Sequence, residues 1–142
     1  MSKTINLTGS ASIQKNEASS GTIVVLYDNN PDIKERADKM AYQVFQYCYR
    51  VLRDAKIYDF TLDIPPSLNL EHMVEALQIF SDKLDVICNR GGDYDLEYEN
   101  INRAINAREQ LRRLQSMVQA LKDDDKNRYL QAIGELESQA MN

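Results

Sequence analysis

Residues 101–121 read INRAINAREQLRRLQSMVQAL, from Ile101 to Leu121. Ala104, Ala107, Leu111, Leu114, Val118 and Leu121 recur at alternating steps of three and four, the seam of a helix that packs along its length against others. Ile101 and Ile105 widen the apolar stripe in its first half. Acids at Asp93, Asp95 and Glu97 suit the positive end of the helix dipole and put the start near 93–97. Continuing the heptad beyond Leu121 would place Asp125 and Arg128 on the seam, so a break is expected at Asp123-Asp124-Asp125. A further helix follows, marked by Tyr129, Leu130, Ile133, Leu136 and Ala140.

Working backwards, Leu70, Met73, Val74, Leu77, Phe80, Leu84, Ile87 and Cys88 trace a helix over about 69–89 that stops at Asn89-Arg90-Gly91-Gly92. Asn69 or Ser67 is placed to cap it. Ile33, Ala37, Met40, Ala41, Val44, Cys48, Val51, Leu52 and Ala55 trace another helix over about 32–56, opened by Pro31 and acids. Beside that face, Tyr42, Phe45 and Tyr49 form a second, aromatic stripe. Pro65 and Pro66 bar helix from the connection between these two helices. Its Ile57, Tyr58, Phe60, Leu62 and Ile64 are too apolar for a solvated linker, so it is expected to lie across the other helices.

The N-terminal 31 residues differ in kind. Residues 1–21 are rich in Ser, Thr, Asn and Gly and read as an arm, while Thr22-Ile-Val-Val-Leu-Tyr27 is an uncharged run of high strand propensity ended by Asp28-Asn-Asn-Pro31. An extended segment over 22–27 is therefore expected, pairing or strapping through Ile23, Val25 and Tyr27. Together these readings give an all-α protein, a four-helix bundle over 32–142 with an N-terminal extended arm or short strand over 1–31.

The chain has 142 residues and a formal net charge of −5, which disfavours binding to nucleic acid or anionic membrane by bulk electrostatics. The charge is unevenly spread. Between 64 and 99, Glu71, Glu75, Asp82, Asp85, Asp93, Asp95, Glu97 and Glu99 face Lys83 and Arg90 alone, whereas the 101–121 helix carries Arg103, Arg108, Arg112 and Arg113. Glu99 to Arg103 and Glu109 to Arg113 have the favourable i,i+4 order, worth about 0.2–0.5 kcal/mol each. Arg108 and Arg112 adjoin one another without such an acid. Either the acidic helix neutralises them, or an external phosphate or acidic protein does. In the second case Arg108, Arg112, Arg113, Lys122, Lys126 and Arg128 form the anion-contact set.

No catalytic, cofactor or metal constellation stands out. His72 is the single histidine, and one His-x-x-Glu does not meet the needs of a di-iron bundle. Asp93 to Glu99 alternates oxygens like a calcium loop but has Tyr98 where glycine is needed and Ala104 where the last carboxylate belongs. Cys48 and Cys88 sit on apolar helical faces and read as reduced thiols. No signal-like start or membrane-length apolar run occurs, so a cytoplasmic location is expected.

Leu111, Arg112 and Leu114, then a polar turn, then Tyr129 and the Ile133-Gly134 pair resemble the last two helices of one bundle family. It comprises ribosomal intervening-sequence proteins and the accessory variability proteins of diversity-generating retroelements. That resemblance covers about 94–140 and implies a ring-like homo-oligomer, often a pentamer, whose basic surface associates with RNA and a reverse transcriptase. The residues themselves favour a non-enzymatic bundle working by protein contacts or self-association, as an adaptor, assembly subunit or regulator. Ile23, Val25, Tyr27, Tyr42, Phe45 and Tyr49 would form its interface. The alternative is an oligomeric accessory protein of a nucleic-acid enzyme.

Overall fold

A computed structural model describes residues 21–57, 59–61, 68–90 and 98–140. Residues 1–20 of the expected arm, the prolines of the long connection, the Gly91-Gly92 stop and the Asp93–Glu97 helix start lie outside the described residues. Five helices pack together: α1 (Thr22–Asn29), α2 (Asp32–Asp54), α3 (Leu70–Arg90), α4 (Tyr98–Lys122) and α5 (Lys126–Ala140). Among the described residues there is no strand.

α4 lies at the centre, against α2, α3 and α5, while α2 also touches α3, α5 and α1. Side-chain contacts give the directions. Near the start of α2, Lys34 donates to the carbonyl of Leu68 just before α3, and eleven residues later Phe45 stacks on Phe80 of α3 at 5.7 Å. These two helices are therefore parallel. α4 is antiparallel to both, with Arg103 on Asp54 of α2 at 2.8 Å and Arg108 on Asp85 of α3 at 3.4 Å. Of the connection, Leu68 is buried and Ile57 and Phe60 pack against the core, while Tyr58, Leu62 and Ile64 lie outside the described residues.

The heptad seam is the core. Ala104, Ala107, Leu111, Leu114, Val118 and Leu121 are all buried, joined by Met117 and Ala120. The apolar positions named for α2 from Ile33 to Ala55 are buried as well. Full burial of each large side chain here, such as Phe80, Leu84 or Leu52, contributes about 1.5–3 kcal/mol.

Helix ends are fixed by local chemistry. α2 closes with Lys56 in the left-handed region (φ 62°), the amide of Ile57 donating to Leu52 and that of Lys56 to Arg53. This is a Schellman motif, with Leu52 and Ile57 as its apolar pair. α4 ends the same way, with Asp124 left-handed (φ 55°) and the amides of Asp125 and Asp124 donating to Ala120 and Leu121. Asp125 then caps α5, its carboxylate accepting from the amide of Arg128 at 3.2 Å. The break between the last two helices is thus built into the three aspartates. Asn69 caps α3 through the amide of His72 at 2.9 Å.

The expected extended segment over 22–27 is a helix instead. Asp124 reaches it from the α4–α5 turn, its two carboxylate oxygens accepting from the amides of Thr22 at 2.6 Å and Ile23 at 2.9 Å. Ile23, Leu26 and Tyr27 stand at i, i+3 and i+4, so one face of a helix carries all three inward, whereas a strand would split them between faces. The preference of Val24 and Val25 for strand amounts to a few tenths of a kcal/mol per residue, less than burying Ile23 and Leu26 gains.

Candidate protein-contact surface

The six residues expected at an interface divide by depth. Phe45 is fully buried and Ile23 is buried, while Tyr27 packs half-buried against Tyr129. Tyr42 is half-buried on α2, its hydroxyl held above the ordinary tyrosine range by burial and by Asp38. Val25 and Tyr49 face outward, 49% and 52% exposed.

Tyr49 is connected to the interior through rings. Its ring meets Phe60 edge-on at 6.4 Å, Phe60 meets Phe80 edge-on at 6.1 Å, and Phe80 stacks on Phe45. Lys83 of α3 pins the Phe60 segment by reaching Asp59 at 2.9 Å, and this pairing holds the Asp59 carboxyl below the usual carboxylate range. An exposed tyrosine therefore stands at the end of a column of aromatic rings. In the sequence Tyr49 and Phe45 share one stripe; in the fold they point to different depths. Phe60, which lies in the connection, supplies the step between them.

A second feature surrounds α1. Tyr27 and Tyr129 share a hydroxyl–hydroxyl hydrogen bond of 2.7 Å, with their rings edge-to-face at 6.2 Å. Burial pushes the Tyr27 hydroxyl up to about 12, and burial together with Tyr27 and Asp38 drives that of Tyr129 far above the ordinary tyrosine range. Outside this pair, a cleft of about 380 Å³ runs between α1 and the start of α5, lined by Gly21, Thr22, Val25, Leu26, Asn29, Asn30 and Lys126.

The basic residues do not converge. Arg108 faces α3 and Asp85, Arg112 turns back to Glu109 at 2.8 Å, and Arg113 binds Gln139 of α5. Arg128 meets Asp123 at 3.3 Å at the α4–α5 turn, where Lys122 and Lys126 are exposed beside three aspartates. Of the two ways to neutralise Arg108, the acidic helix supplies the one seen. Cys48 is buried and its thiol is pushed up to about 12 by that burial; Cys88 is half-buried, and both are free. Among the described residues no cluster of His, Cys, Asp and Glu could hold a metal ion, and no helix is long and apolar enough to cross a membrane. Compared with protein families, curated proteins and solved structures, the chain matches none.

Proposed function

We propose that this protein works through protein contacts, as a non-enzymatic adaptor, assembly subunit or regulator built on a four-helix bundle, with the Tyr49 column as its contact point. The observation that carries this reading is the ring series Tyr49, Phe60, Phe80 and Phe45. Tyrosine is favoured at the centres of interfaces because a large ring with a polar tip contributes area at little cost in side-chain entropy. That advantage is greatest where the ring is already held, since a partner need not order it. A surface tyrosine serving solubility alone has no need of such support.

The test compares the natural chain with Tyr49→Asp in thermal unfolding, in light scattering across concentration, and in crosslinking from a photoreactive residue at position 46, which is exposed one turn away. The expected result is an unchanged melting temperature together with loss of the species that crosslinks from position 46. If every association of the natural chain survives in Tyr49→Asp, the column is not the contact point.

A further inference from the structure

The seat of α1 reads more of its occupant than a covering for core would require. An eight-residue helix does not persist alone in water, so α1 is helical only while seated. The seat supplies both ends of that helix. Asp124 holds the first two amides, and the α-carbon of Gly21 lies so close that a Cβ there would stand 2.9 Å from both carboxylate oxygens. Ile23 and, one turn on, Leu26 enter the core, and the Tyr27 hydroxyl finds that of Tyr129. What the seat recognises is a glycine-led helix with aliphatic groups at its second and fifth residues and a tyrosine at its sixth. Residues 21–27 have that pattern, and every group that reads it belongs to α2, α5 or the α4–α5 turn, which pack together without α1.

The tether is short. Asn30 is nonhelical (φ −140°, ψ 75°), and Pro31 disfavours the helical conformation at the residue before it, so α1 does not run on into α2. Rotation at Asn30 re-aims α1 while leaving the hydrogen bonds inside both helices intact.

We propose that the seat accepts α1 from a second copy, so that two copies exchange their first helices in a closed twofold pair. Exchange reproduces every contact of the seat, and its isologous symmetry closes at two copies rather than growing. The second copy is the occupant that fits because its residues 21–27 carry what Asp124 and Tyr129 select: a glycine close to the carboxylate, two free amides and the Tyr27 hydroxyl. This face is distinct from Tyr49, so the two assignments stand or fall separately.

The test uses the full chain. Labelled (¹³C) and unlabelled copies are mixed, and isotope-filtered NMR looks for contacts between the rings of Tyr27 and Tyr129 on different copies, with mass followed by light scattering up to about 1 mM, the effective concentration that a short tether gives the intramolecular contact. A dimer with intermolecular Tyr27–Tyr129 contacts is expected. A monomer throughout that range, or a dimer whose ring contacts stay within one copy, overturns the proposal. Complementation is the second arm. Ile23→Ser/Leu26→Ser breaks α1 and keeps the seat, Asp124→Ala weakens the seat and keeps α1, and their equimolar mixture should form a heterodimer at concentrations where each alone is monomeric. Absence of that heterodimer between folded variants overturns the proposal, and should either variant fail to fold, the labelled mixture of the natural chain decides.

Discussion

Two glycines show how differently one residue type can be constrained. Gly134 lies exposed in the middle of α5, and a Cβ there would meet nothing within 4 Å. Gly134→Ala should therefore stabilise the protein by about 1 kcal/mol, through the helix preference of alanine and the smaller entropy of the unfolded chain. For a domain of this size that is a rise of roughly 3 °C in melting temperature. Gly21 has an ordinary φ of −70°, so its conformation does not demand glycine; its neighbour does. Gly21→Ala must push the Asp124 carboxylate off the amides of Thr22 and Ile23, and should cost on the order of 1 kcal/mol, the value of a helix cap. Thermal unfolding of both variants checks the pair, and equal shifts of the same sign would mean that Asp124 yields freely.

Among the helices, the long ones declare their buried face through their own apolar spacing. The α4 seam, the extent of α2 and the stop before Asp125 were legible because heptad steps and seam-breaking charges are local signals. α1 was not legible as a helix, because the carboxylate that starts it belongs to Asp124, about a hundred residues away, and β-branched propensity was the strongest local signal left. The same distance hid the Tyr27–Tyr129 bond, which fixes how α1 sits on α5. Tyr27→Phe leaves the buried Tyr129 hydroxyl without its partner and should destabilise by about 1–3 kcal/mol, whereas Tyr27→Phe/Tyr129→Phe removes both hydroxyls and should come within about 1 kcal/mol of the natural chain. The pair also sets the alkaline limit. An unfolded Tyr27 ionises near 10 and a folded one near 12, so the unfolded chain releases its proton first as pH rises. Stability from this group is whole below pH 10 and lost towards pH 12, and the buried Cys48 thiol, raised from 9.0 to about 12, acts in the same sense from pH 9. In denaturant titrations from pH 8 to 12 the double variant should keep the Cys48 part of that decline and lose the tyrosine part; an unchanged decline would assign it elsewhere.

For the whole molecule, charge is arranged to hold helices together. The acidic α3 and the basic α4 lie side by side and antiparallel, and Arg108 meets Asp85 across their boundary. The opposing charges are countable in the sequence, but spacing along one helix does not say which helix lies beside it, and so leaves a neighbouring helix and an external anion as alternatives. Once the neighbours are known, the six candidate cations fall on separate faces: Arg108 and Arg112 towards α3, Arg113 towards α5, and Lys122, Lys126 and Arg128 around a turn of three aspartates. A phosphate backbone needs several cations on one continuous track, and a chain of net charge −5 supplies no general attraction to replace it. Binding of a labelled structured RNA should therefore be no tighter than nonspecific, roughly 10⁻⁴–10⁻⁶ M, and Arg108→Glu/Arg112→Glu should leave it unchanged across a salt series. The same substitutions should instead register in stability. Arg108→Glu faces Asp85 with a like charge and should cost up to about 1 kcal/mol at low salt, less at high salt, while Arg112→Glu, 58% exposed and paired within its own helix, should cost about half that or less. Salt-sensitive RNA binding lost in the double variant would reverse the assignment and make the arginine face of α4 an anion surface.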